Sequence, residues 1–175
     1  MNAVTVQPIP LNRPRERAFT WDDPLVVAER SRSLSGMELF QEMIAGRTPI
    51  PPIGVALDFR MTEAEKGRVV FEMEPQEFHY NPISTMHGGV ISTLLDSAMG
   101  CAVHSTLKAG VGYTSLEIKV NFVRPITVDT GRLICEGKTL TTGRTTALAE
   151  GRILDERGRL LAHGSTTCAI FRPTS

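Results

Sequence analysis

The chain has little cysteine, little aromatic character and no excess of charge of either sign. Three cysteines, Cys101, Cys135 and Cys168, stand among 175 residues with no CxxC pair. An odd, scattered set excludes a fully paired disulfide framework and the common zinc patterns, and it fits a reducing, cytoplasmic setting. Lys+Arg and Asp+Glu both number 19, so the formal net charge is zero. No field of that kind coats nucleic acid or an anionic membrane, and neither is expected as a partner. No apolar run approaches the roughly 20 residues that span a bilayer. The opening segment MNAVTVQPIPLNRPRER reads as lacking a signal-peptide core, because Pro8, Pro10 and Pro14 interrupt it. The histidines at 79, 87, 104 and 163 have no metal-ligand spacing with one another or with the cysteines, so no metal is expected. Gly110-Val-Gly112 does not join a strand to a helix and is no dinucleotide loop.

What is present suits one folded domain with an arm. Hydrophobic residues make up 41% and charged residues 22%, ordinary for a globular chain. Residues 1–33 carry four prolines and show no clear apolar period, which predicts a flexible arm; Phe19 and Trp21 are its candidate docking points. Residues 34–175 form the domain. Ser35 to Gly46 reads as a short amphipathic helix, with Ser35 as cap, Glu38 three residues on and Gly46 as stop. Val55, Leu57 and Phe59 alternate with polar or small neighbours and predict a strand. Strands are also expected over 68–74, 114–123, 132–140, 145–154 and 159–171, with turns at Glu65-Lys-Gly67 and Asp155-Glu-Arg-Gly158.

The segment His87–Leu107 differs. On a helical wheel of about 100° per residue, Val90, Ile91, Leu94, Leu95, Ala98, Met99, Ala102 and Val103 share one face. The other face holds Ser92, Thr93, Asp96, Ser97, Gly100 and His104. A solvated face normally carries Lys and Glu. This one predicts a central helix buried nearly all round, its second face against another chain or a site, starting at Gly88-Gly89 and capped near Gly110. One long helix wrapped by about six strands is an α+β arrangement.

Three features there carry chemistry. Backbone N–H groups at a helix start lack partners and sit at the positive dipole end, and Gly88 and Gly89 leave them open to a developing oxyanion. Alone, His-Gly-Gly is a turn that opens a helix. Asp96, two turns in, is a candidate general base or nucleophile, or else a buried Asp bonded to its neighbours. Asn81, seven residues before Gly88, can bond a carbonyl or water, or simply initiate the Asn-Pro turn. Cys101 and His104 are three apart on the helix, but Cys101 reads as a small buried hydrophobe. Thr141-Thr-Gly-Arg144 reads as a hairpin turn that projects Arg144, toward solvent or a phosphate.

Assembled, the order is N-P-x4-H-G-G, seven residues, D, a strand ending N-F-V-R-P, then T-G-R and a last hairpin D-E-R-G-R-L-L-A. From about Leu34 to Phe171 this resembles the hotdog-fold acyl-CoA thioesterases of the PaaI type. The resemblance implies a long helix in a curled antiparallel sheet, homodimers that often pair as dimers of dimers, and a site between two chains. Asn81 and the Gly88 N–H of one subunit would face Asp96 of the other. A hydroxyl at the start of the following strand often completes such sites, here Ser115 with Thr114 beside it. Asp96 would activate water or attack directly; Asn81 would orient the carbonyl or the water; Ser115 would hold water or Asp96; His87 would shape the loop. No metal or cofactor is implied. Arg144, Arg124 or Lys138 would meet the CoA phosphates. The same fold hosts acyl-thioester hydratases, which place an Asp-His or Glu-His pair near the helix start, and non-catalytic acyl-CoA binders. The implied activity is hydrolysis of a small, medium-chain or aryl acyl-CoA.

Overall fold

The computed structural model describes residues 15–172. Helices α1 (Pro24–Ser33), α2 (Gly36–Ile44) and α3 (Pro52–Leu57) precede strands β1 (Phe59–Glu65) and β2 (Arg68–Met73). The long helix α4 (Gly88–His104) follows, then β3 (Gly112–Phe122), β4 (Leu133–Thr142), β5 (Thr146–Asp155) and β6 (Leu160–Phe171). The strands form one antiparallel sheet in the order β1-β2-β4-β5-β6-β3. It curls round α4, which touches all six strands. Leu94, Leu95 and Met99 of α4 are fully buried, together with Val69, Leu133 and Ile153 from the sheet. Among the described residues no helix is long and apolar enough to cross a membrane.

The helix seats itself in a trough of glycines. Gly137, Gly151 and Gly164 lie in register across β4, β5 and β6. A Cβ at Gly137 would stand 2.1 Å from the Ala98 carbonyl oxygen, and one at Gly151 would stand 2.9 Å from the Met99 side chain. The missing side chains let the helix backbone approach the sheet closely.

Several boundaries differ from the sequence reading. The expected strand at Val55–Phe59 is helical through Leu57. Pro51 caps α3 and Pro52 fills its first position, where the missing N–H costs nothing. Val55 and Phe59 are also four apart, so their spacing suits either period. Asp58, in the left-handed region at φ 54°, turns the chain into β1. Helix α2 has the expected capping box between Ser35 and Glu38, and Gly46 follows it at φ 71°. Helix α4 ends at His104, with Ser105 as its cap, so Gly110 does not stop it. Gly110, at φ 74°, belongs to a later turn in which the Val111 N–H donates to Lys108.

Part of the presumed arm is structured. Residues 24–33 form α1, capped by the Asp23 carboxylate on the Leu25 N–H. No α1 residue is buried, which is why no apolar period announces it. Ahead of α1 the chain is tied down by Arg17, not by the aromatics. The Arg17 guanidinium donates to the Val55 and Ala56 carbonyls and lies 3.8 Å from the centre of the Phe78 ring. Phe19 and Trp21 stack on each other and remain exposed. Pro8, Pro10 and Pro14 lie outside the described residues.

Candidate functional site

Asp96 sits on the α4 face turned toward β3. Ser115, near the start of β3, donates its hydroxyl to Asp96 Oδ1 at 2.7 Å. A bulge in the β3–β6 ladder falls between Ser115 and Glu117. Such a bulge re-aims the side chains beside it. Asp96 Oδ2 has no hydrogen-bond partner among the described residues. Both residues line a cavity of about 600 Å³, together with Ser97 and Thr114. Most of the rest of its wall is apolar and comes from α2, α3 and β1, with Leu39, Phe40, Met43, Ile53, Phe59 and Met61 among others; Arg60, Ser31, His104 and Tyr113 also line it. A carboxylate held by a hydroxyl at the polar end of an apolar pocket can take a proton from water there.

The other expected residues gather elsewhere in the same chain. Asn81, Gly88 and Arg124 line a second cavity of about 380 Å³ with Phe122 and Pro125. Asn81 spends most of its amide on its own loop. Its oxygen accepts from the N–H groups of Ile83 and Thr85, and its nitrogen donates to the Thr85 hydroxyl. This holds Ser84 in the left-handed region at φ 60° and leaves Asn81 one N–H. Helix α4 begins at Gly88, whose N–H has no partner among the described residues. The Gly89 N–H, by contrast, donates to His87 Nδ1 at 2.8 Å, so His87 is the cap and Gly89 has no free donor. A Cβ on Gly88 would lie 3.0 Å from the Phe122 ring.

The remaining candidates are surface groups. The Arg124 guanidinium donates to the Leu160 carbonyl. Arg144 lies in the β4–β5 turn, its carbonyl accepting from Arg172 Nε. Lys138 is exposed on β4. Neither Arg144 nor Lys138 lines the two cavities. Cys101 is desolvated beside Tyr113, which pushes its pKa up to about 12, so it is an inert thiol at neutral pH.

The sequence reading missed His79. It is 1% exposed. Its Nδ1 accepts from the Gln76 N–H and its Nε2 lies 2.9 Å from the Leu57 carbonyl, which fixes the neutral, Nε2-protonated ring. Its own carbonyl accepts from the His87 N–H, so it anchors the loop that presents Gly88. Burial holds its pKa below the ordinary value, against the pull of the Leu57 carbonyl. Burial does the same at His104. The unfolded chain therefore binds these protons more readily than the native state. Stability is full above the unfolded pKa of about 6.5 and falls as pH drops below it. Glu42 and Glu136, whose ion pairs with arginine lower their pKa values, lose their contribution only below about 4.5. The urea midpoint should fall between about pH 7 and 5.5, with part of that slope lost in His79→Gln. A midpoint constant over that range would contradict the neutral, buried ring.

The long helix in a curled six-stranded antiparallel sheet is the hotdog fold. The thioesterase superfamily profile matches residues 84–162, from the Asn81 loop to β6. The "Putative esterase SSO2140" of Saccharolobus solfataricus is 31% identical over 116 residues, 66% of this chain and 81% of that protein. Human acyl-coenzyme A thioesterase 13 is 28% identical over 61% of this chain and 76% of its own length. The Escherichia coli PaaI protein of the phenylacetic acid degradation operon superposes with a TM-score of 0.68 at 19% identity, over 81% of this chain and 99% of that one. The chain belongs to the thioesterase superfamily.

Proposed function

We propose that the protein is an acyl-CoA thioesterase, hydrolysing an acyl-CoA to the free acid and CoA at a site shared by two chains. One observation carries the reading: the Asp96–Ser115 pair at the polar end of an apolar cavity large enough for an acyl group. Family membership and the likeness to human acyl-coenzyme A thioesterase 13 support it.

Strand β3 supports the two-chain assembly. It is an edge strand, bonded among the described residues only to β6, and exposes Leu116, Ile118 and Phe122. A long edge with apolar side chains calls for a partner. Antiparallel pairing of β3 with its copy about a two-fold axis sets the start of one strand against the end of the other. Ser115 is near the start, beside Asp96, and Phe122 is at the end, over Gly88. Pairing thus brings Asp96 and Ser115 of one chain to Gly88 and Asn81 of the other. We take this dimer as the unit from which a dimer of dimers is built.

In that site the thioester carbonyl accepts from the Gly88 N–H at the positive end of α4. Asp96 Oδ2 takes a proton from water as the water oxygen adds to the carbonyl carbon. The C–S bond then breaks, and CoA leaves as the thiolate and is protonated. Ser115 holds Oδ1 and keeps the second oxygen turned toward the cavity. Asn81 builds the loop that presents Gly88 and offers its remaining N–H. Arg124, on the same cavity wall as Gly88, is the cation placed to meet a CoA phosphate. The three unpaired thiols suit a reducing, cytoplasmic setting. Thiol release from a panel of short, medium, long and aryl acyl-CoAs tests the reading. Tight binding of the esters without turnover would replace it with a non-catalytic acyl-CoA binder.

A further inference from the structure

The apolar cavity beside Asp96 has a definite far end. Asp96 and His104 both line it, eight residues apart on α4 and so about 12 Å along the helix axis. At about 30 Å³ per non-hydrogen atom, the volume of one water in the liquid, its 600 Å³ holds roughly twenty such atoms. A single-ring acyl group would leave much of that wall wet. A flexible chain fills it, and Met43 and Met61, unbranched and adaptable, suit such a guest.

Beyond His104 lies a separate space of about 230 Å³, lined by Gly110, Val111, Gly112 and Arg32. Three residues face both spaces: Ser31, His104 and Tyr113. They form a partition. The His104 ring lies between Phe40, at 5.4 Å between ring centres, and Tyr113, at 5.3 Å. Tyr113 is pressed against the helix at Gly100, where a Cβ would come within 2.9 Å of its ring and hydroxyl. The His104 side chain makes no hydrogen bond among the described residues. Its contacts are with these rings, and burial holds its pKa down. A neutral imidazole at the end of the cavity sets no charge against a methyl terminus. Ser31 closes the partition from α1, the helix with no buried residue.

We propose that His104 and Tyr113, closed from outside by Ser31, are the floor of the acyl pocket and set the longest linear acyl chain it accepts. The inference rests on the thioesterase reading of the Asp96 site. It also gives α1 a role, as the outer wall of the specificity pocket.

The test measures dissociation constants of the full-length protein for S-alkyl-CoA thioethers, butyl to octadecyl, by calorimetry. Thiol release from the matching acyl-CoAs is measured alongside. For the unaltered protein, affinity should rise about fourfold per methylene and level off once the chain reaches the floor, before octadecyl. His104→Ala joins the two spaces and should move the plateau several carbons longer. Ser31→Phe, at a position outside the core, should move it shorter and serves where His104→Ala fails to fold. A plateau at the same length in all three proteins overturns the proposal, as does affinity independent of length. The thioether series needs no turnover. An unmoved plateau with thiol release sinks the floor and spares the hydrolase; a moving plateau without thiol release does the reverse.

Discussion

Asp96→Asn should lower the kcat of acyl-CoA hydrolysis about 10³-fold, the scale of a lost general base, with little change in thermal stability. The substitution is nearly isosteric. An Asn oxygen can still accept from the Ser115 hydroxyl at the 2.7 Å now occupied by Asp96 Oδ1, so the packing of α4 against β3 survives. What disappears is a basic oxygen turned toward the cavity. KM should change far less than kcat, because the acyl chain and the nucleotide are bound by other groups. Steady-state kinetics with a thermal melt of the same sample decides the matter. A variant that keeps most of its kcat would remove Asp96 from the chemistry and leave it a half-buried residue that pins β3.

The largest effect on stability is expected at Gly137. A methyl group there would sit 2.1 Å from the Ala98 carbonyl oxygen, and both are backbone-bound. No side-chain rotation relieves the clash; the helix must lift off the sheet. Gly137→Ala should cost about 3 kcal/mol or more, lowering Tm by roughly 10 °C in a chain of this size. Gly151→Ala should cost less, because the atoms it meets belong to the flexible Met99 and Leu95 side chains. Paired thermal melts check the order, and equal costs would mean that the trough is not what seats the helix.

The reach of the sequence can be read from particular residues. Helix α4 was legible because its apolar face is continuous and its other face carries almost no charge. Strands β2 to β6 were legible from alternation and from turn glycines such as Gly67 and Gly158, both at positive φ. Helix α1 was hidden because a helix that buries nothing leaves no stripe. Helix α3 was mistaken for a strand because Val55, Leu57 and Phe59 fit two periods at once. The glycine trough depends on the register of three strands, which no local pattern encodes.

Within the candidate site, helix position made Asp96 and Gly88 candidates, while Ser115, with Thr114 beside it, was reached only through the family resemblance. The hydrogen bonds that divert Gly89 to His87, and most of Asn81 to its own loop, need coordinates. So does the walling of the cavity beside Asp96 by α2 and α3, whose sequences show amphipathicity and prolines but not what they face. His79 escaped notice because a lone histidine with no metal spacing looks unremarkable. Its role lies in two backbone partners, at Gln76 and Leu57.

The proposed hydrolytic site is made from two chains. Two inactive variants damage opposite sides of it: Asp96→Asn loses the base, and Gly88→Val keeps its N–H but crowds it with a branched side chain whose Cβ lies 3.0 Å from the Phe122 ring. After each is shown to be folded, they are mixed, unfolded and refolded together, and thiol release from the best acyl-CoA is measured. Random pairing makes half the dimers mixed, and each mixed dimer rebuilds one intact site of two, so about a quarter of the unaltered activity should return. A mixture no more active than its two parents would contradict it, placing Asp96 and Gly88 in the same site of a single chain or outside the chemistry altogether.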